Sequence, residues 1–318
     1  MLVDANIITF CTINKNFDMN NVEVCSDMKK IIFDCDNTMG MENSDVEDGL
    51  TLLYLLGEDE IDVKGVTLTH GDSDIDTVYK TTWDLFDKFG IDVPLIKGCE
   101  RGEDRVTEAS IFLAENAARF PNEITILCTG SMSNIYGAYQ FDVDFFDNIK
   151  EIIIMGGMLE QITINGEAIN ELNLSYDCEA SYNVLFSTAK VRVLNGNVAG
   201  DCLFTGENLK ELYNSKEHVL RDIFDLINPW YEFSKEKFHV DGFSEWAVAT
   251  AVMITHPELF DNVQTTVISD INDLKRGILK TTPDKCGKAI NMPSKITDSK
   301  RLNAIIVDSL KHFAEISH

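Results

Sequence analysis

Along the chain, short continuous runs of apolar and β-branched residues alternate with longer stretches of helical period. The runs are Ile31–Phe33, Val66–Thr69, Ile124–Cys128, Ile152–Met155 and Val191–Leu194. A strand that is apolar at successive positions has both faces covered, as in a parallel sheet. Between the runs, the spacing predicts helices over Gly49–Leu56, Ile75–Phe89, Val106–Ala118, Asn134–Tyr139, Cys178–Ser187 and Phe243–Thr255. This alternation predicts the α/β class, with an open, mostly parallel, doubly wound sheet and flanking helices. Irregular insertions are expected after residue 157 and around 205–240. Only six prolines punctuate the chain and no low-complexity linker interrupts it, so residues 28–318 read as a single domain. Residues 1–27 lack the basic start and long apolar run of a signal peptide. They read as a loosely packed extension, or as residues ahead of a natural start at Met28.

In a doubly wound sheet, ligands bind beyond the carboxyl ends of the strands. The polar residues there are Asp34 and Asp36, then His70-Gly71-Asp72, then Thr129-Gly130-Ser131, then Gly156-Gly157 with Asn165 downstream. Asp34 and Asp36 lie two apart, so on an extended strand they share a face. Asp45, Glu47 and Asp48 follow and open the apolar stretch GLTLLYLLG. Five carboxylates so close repel one another unless protons or a cation sit among them. Oxygen-only donors favour a hard cation, calcium or magnesium. Helix capping accounts for Asp45 and Asp48 equally well, but not for Asp34 and Asp36.

The totals remove some classes. Lysine plus arginine is 27 against 53 acidic residues, a net charge of −26. Such a polyanion is repelled by nucleic acid and by anionic lipid, so neither is expected as a partner. No run approaches the ~18 apolar residues of a membrane span. Eight cysteines, none in a C-x-x-C pair, suit reduced, mostly buried thiols of a cytoplasmic protein.

Two families begin like this chain. FDCDNT resembles the opening motif of haloacid-dehalogenase-type phosphatases, in which the first Asp attacks phosphate. The later acidic tract GDSDID follows it by only about 35 residues, too few for the strands and crossovers that separate those motifs. The downstream residues resemble the inosine–uridine-preferring nucleoside hydrolases instead. Asp34-Cys35-Asp36 and Glu47-Asp48 stand where that family has DxD and an acidic pair. TGSMSN (129–134) and IIIMGG (152–157) look like its TGPLTN and IVMGG. Asn165, Glu171 and Asn173 match its N-x5-E-x-N ribose motif, and WAVATAVMITHPELF (246–260) is similar to its last helix.

That resemblance implies hydrolysis of the N-glycosidic bond of ribonucleosides, with a calcium ion at the sheet edge. Asp36, Asp48 and the backbone carbonyl of Thr129 would hold the metal, and Asp36 would be the general base. Glu47, Asp72, Asn165, Glu171, Asn173 and Trp246 would face the substrate. Trp230, Tyr231 and Phe243 fall in the region expected to cover the base, and His70 and His239 are candidate leaving-group acids. Homodimers or homotetramers are usual in the family.

The chain also departs from the family pattern. Position 47 is Glu rather than Asp, a carboxylate moved by about 1.5 Å. Asp72 replaces a common asparagine. The last helix should open on His-Asp or Trp-Asp, whose Asp ligates calcium, but here those positions are Trp246 and Ala247. Glu245 lies about 200° around the helix from position 247. The implied calcium site is one ligand short. Either the metal shell is altered, or the protein binds nucleosides or ribose without efficient turnover.

Overall fold

The computed structural model describes residues 28–317, apart from 103 and 201; the expectation for residues 1–27 lies outside the described residues. The strands are β1 (Lys29–Cys35), β2 (Ile61–Leu68), β3 (Leu95–Lys97), β4 (Ile124–Cys128), β5 (Glu151–Met155), β6 (Thr163–Ile164), β7 (Glu167–Ala168), β8 (Val191–Leu194), β9 (Leu203–Thr205), β10 (Gly242–Ser244), β11 (Gln264–Val267), β12 (Thr281–Thr282) and β13 (Lys288–Asn291). The helices are α1 (Glu47–Leu56), α2 (Ile75–Phe89), α3 (Glu108–Arg119), α4 (Ser133–Phe141), α5 (Phe145–Asn148), α6 (Cys178–Leu185), α7 (Gly196–Ala199), α8 (Gly206–Tyr213), α9 (His218–Phe238), α10 (Trp246–Thr255), α11 (Ile271–Leu274) and α12 (Ser299–Ile316).

A nine-stranded sheet runs β12-β11-β13-β8-β5-β4-β1-β2-β3. Every neighbouring pair from β13 to β3 is parallel, and β11 is antiparallel to both β13 and β12. The sheet is therefore mostly parallel, as the continuous apolar runs predict. From β1 the chain steps outward to β2 and β3. It then returns to β4 on the other side of β1 and continues to β5 and β8. The strand order reverses between β1 and β4, and there the loops diverge and leave a crevice.

Alternation along the central strands feeds two apolar layers. Ile31, Phe33, Cys35, Leu127 and Ile153 face one layer, formed with α1, α2, α8, α9, α10 and α12. Ile32, Ile126, Cys128, Ile152 and Ile154 face the other, formed with α3 to α6. α10 is apolar all round (WAVATAVMIT), so it sits inside the first layer instead of on its surface. α2 starts with Asp74 accepting from the Thr77 N–H at 2.9 Å and ends at Gly90 in the left-handed region.

The predicted 124–128 and 191–194 strands and the 75–89 helix coincide with the observed elements. The helix expected over Phe243–Thr255 begins at Trp246, because Phe243 and Ser244 pair with β9. The stretch around 205–240, expected as irregular, is largely helical, in α8 and α9.

Candidate active site

The β1 end lies at the crevice. Asp34 pairs with Thr67 on one side and Cys128 on the other, so it sits at the centre of the sheet. Its side chain is fully buried, accepting from Thr67 Oγ1 at 2.6 Å and Asn134 Nδ2 at 2.9 Å. Burial pushes it up to about 7 despite those bonds. A sealed carboxyl of this kind cannot attack phosphate, which removes the phosphatase reading. It braces β1, β2 and α4. Asp34 and Asp36 therefore do not serve one cavity, because the chain leaves the strand after Cys35 and only Asp36 reaches open space.

Asp36 is held by backbone. Its Oδ2 accepts from the Asp72 N–H at 2.8 Å. A Cβ added at Gly71 would stand 1.7 Å from that oxygen, and one at Gly130 would stand 2.8 Å from Oδ1. The tracts HGD and TGS thus supply two residues without side chains where the β2 and β4 loops close on the carboxylate.

Asp48, in the first turn of α1, ties the same edge together. Its Oδ2 accepts from the Asp36 N–H at 3.0 Å and its Oδ1 from Thr129 Oγ1 at 2.6 Å. Thr129 thus meets Asp48 through its hydroxyl. Its N–H donates to the Asp34 carbonyl at 2.9 Å. Glu47 turns the other way, and its Oε2 accepts from the Ala247 N–H at the start of α10, at 3.0 Å.

Two adjoining cavities open here. The smaller, about 90 Å³, is lined by Asp36, Asp45, Glu47, Asp48, Asp72, Thr129, Glu171, Asn173, Trp246 and Ala247, among others. The larger, about 720 Å³, shares Asp45, Glu47, Asp72 and Trp246 with it and adds Asn165, Trp230, Phe238 and Phe243. Most of the sequence-predicted site residues are therefore brought together. Glu171 Oε1 accepts from the N–H groups of Gly157 and Leu174, and Asn173 Nδ2 donates to the Met155 carbonyl at 3.1 Å. Both residues fix the β5 end while bordering the smaller cavity. Asn165 lies apart from them, in the tip of the β6–β7 hairpin. Asn165 and Gly166 both have positive φ, 48° and 91°, as an Asn-Gly hairpin turn demands. Its Nδ2 donates to the Phe238 and His239 carbonyls, tying the hairpin to the end of α9.

Tyr231, His70, His239 and Glu245 stand outside both cavities. Tyr231 donates its hydroxyl to Asp241. His70 is buried, with Nδ1 against the Cys99 carbonyl at 3.2 Å, and burial lowers its proton affinity. His239 closes α9 as an exposed C-cap. Glu245 is buried behind α10 against Cys202. Sequence reasoning missed Gly71, Gly130 and Asn134 as supports, although all three lie in tracts it singled out.

The electrostatics are those of carboxylates without a counter-charge. No Lys, Arg or His among the described residues lines the smaller cavity. Burial, and then Asp48 and Asp72, holds Asp36 well above the ordinary carboxylate range. Burial, and then Asp45, does the same to Glu47, while burial pushes Asp48 and Glu171 up to about 7. Burial, and then the Asp72 and Asp48 charges, hold Asp45 well above that range too. A hard divalent cation is the other way to relieve such a cluster, and the all-oxygen donor set suits calcium. The fit is one of donor chemistry: among the described residues no three His, Cys, Asp or Glu side chains form a preformed ligand group.

A doubly wound sheet with an acidic crevice at its switch point is a ligand-binding architecture, and comparison gives its family. Residues 31–311 match the family model for inosine-uridine preferring nucleoside hydrolase, and the chain belongs to that family. It is 22% identical over 284 residues to a probable uridine nucleosidase 2 of Arabidopsis thaliana, covering 79% of this chain and 85% of that one. It is 23% identical to the inosine-uridine preferring nucleoside hydrolase of Crithidia fasciculata, over 65% of this chain and 73% of that one. The fold matches a purine-preferring ribonucleoside hydrolase from Gardnerella vaginalis, with a TM-score of 0.79 and 19% identity over 91% of this chain and all of that one. It also matches a plant nucleoside hydrolase, with a TM-score of 0.77 and 21% identity over 89% and 98%. No helix among the described residues is long and apolar enough to cross a membrane.

Proposed function

We propose that the protein is a calcium-dependent nucleoside N-ribohydrolase, releasing ribose and free base. The observation that carries this reading is the meeting of Asp36, Glu47, Asp48, Glu171 and Asn173 in one small cavity that opens into a larger aromatic-walled one. The smaller cavity suits the sugar, and the larger suits the base between Trp230, Trp246 and Phe243.

Loss of the base leaves oxocarbenium character on the sugar, which buried carboxylates stabilise. Asp36 is the general base toward the attacking water, held in place by the Asp72 N–H and by the close backbone at Gly71 and Gly130. Asp48 and Thr129 would hold calcium together with Asp36; when bound, calcium clamps sugar hydroxyls and acidifies water. Glu171 and Asn173 present the β5 side of the cavity to the ribose. Asp72 and Glu47 border the junction of the two cavities, and Asn165 fixes the hairpin that walls the base side. No histidine among the described residues lines either cavity.

Ala247 favours a second reading, a relative that binds nucleoside or ribose with little turnover. The deciding experiment is ribose release from a panel of purine and pyrimidine ribonucleosides, with and without calcium, for the native chain and Ala247→Asp. Calcium-dependent release by the native chain supports the hydrolase. An inert native chain with an active Ala247→Asp variant supports the binder. Silence from both defeats the site assignment.

A further inference from the structure

Two departures from the family pattern meet at one hydrogen bond. Position 47 carries Glu where the pattern has Asp, and position 247 carries Ala where it has a carboxylate. In the folded chain the Ala247 N–H donates to Glu47 Oε2 at 3.0 Å, across 200 residues of sequence. Glu47 is only 5% exposed, and both residues line the smaller cavity with Asp36 and Asp48.

The chemistry explains the pairing. The first N–H groups of a helix have no partner within it and carry its positive end, so they attract a carboxylate. An aspartate at 247 would have brought its own anion to the mouth of α10. Alanine brings none and leaves the space of a side chain. Glu47 reaches from α1 to the Ala247 N–H, and the extra methylene supplies about 1.5 Å of the reach.

We infer that Glu47 stands in for the missing aspartate and is the calcium-ligating carboxylate on the α10 side of the site. This inference rests on the calcium-dependent reading above. It makes the Glu47 and Ala247 departures one coupled change instead of two defects. Asp72, in place of an asparagine, returns the acidic count that the alanine removed.

The test is calorimetric calcium titration of the full chain without nucleoside, with calcium-free thermal melts of each variant to confirm folding. Glu47→Gln keeps an acceptor for the Ala247 N–H but removes the charge, and calcium affinity should fall at least about tenfold. Glu47→Asp should lose a similar factor, and Glu47→Asp/Ala247→Asp should recover most of it; an unfolded protein could not show that recovery. Asp48→Asn is the reference for the calcium site itself. If Asp48→Asn loses calcium while Glu47→Gln binds within about twofold of native, Glu47 is not a ligand and the calcium reading survives. A native chain that binds no calcium overturns both. Failure of the double variant to recover, with both single variants weakened, overturns the substitution and leaves Glu47 a positioning residue.

Discussion

Asp36 depends on what its neighbours lack. With a Cβ at Gly71 the nearest contact would be 1.7 Å from its Oδ2, so Gly71→Ala has to move the carboxylate or the loop. A shift near 1 Å at a reacting group costs about 100-fold in rate. Gly71→Ala should therefore cut ribose release by about that factor while far-ultraviolet circular dichroism stays native. Asp36→Asn retains an acceptor for the Asp72 N–H but cannot take a proton, so it should lower kcat by about 10²–10⁴-fold. Steady-state ribose release measures both. At this scale the sequence is readable where chemistry shows in residue type: Asp36, Asp48 and Glu171 stand out as carboxylates, and the fold brings all three to one cavity. Two adjacent alternation positions, Asp34 and Asp36, were not separable, because the point at which a chain leaves its strand is not written in the residues. The bond between Glu47 and Ala247 was also hidden, since nothing local links positions 200 apart.

Elements with a strong local signal were the ones legible in advance. β4 is an unbroken β-branched or apolar run, β8 is one broken only at Arg192, and α2 carries its own N-cap and terminating glycine. α9 resisted because Pro229 sits inside it, and a proline is ordinarily a helix stop. β11 and β13, with sequences QTTV and KAIN, are short and partly exposed, so they show no apolar run. The β6–β7 hairpin hangs on the Asn165 side chain, whose amide holds the Phe238 and His239 carbonyls. Asn165→Ala should loosen that wall and raise KM several-fold with kcat nearly unchanged, in the manner of lost uniform binding. A parallel fall in kcat would place Asn165 against the reacting sugar instead.

Across the whole molecule, protons and metal compete for the same oxygens. Asp34 and Asp48 rise from an ordinary 3.8 to about 7 in the folded chain. Between those values the unfolded chain has released protons that the folded chain retains. Stability of the calcium-free protein should therefore fall as pH rises from about 4 through about 7. Calcium binds the deprotonated site, so its affinity should rise over the same interval and its stabilisation should be largest at the upper end. Thermal melts from pH 4 to 8, with calcium or a chelator, would reveal both slopes. A flat calcium-free profile would show that the carboxyls are not held protonated.

α1, which bears Glu47 and Asp48, is covered on one flank by α10 and on another by α12, where Ser309 Oγ donates to the Tyr54 carbonyl at 2.9 Å. During synthesis the chain emerges in order, and domains form as their parts become available. α1 therefore waits for both covers through most of translation, with Leu50, Leu53 and Tyr54, all fully buried at the end, still looking for partners. The pocket is then among the last features completed, and an incomplete chain that stops short of α12 leaves α1 bare on that flank, although no residue lining the pocket is missing from it.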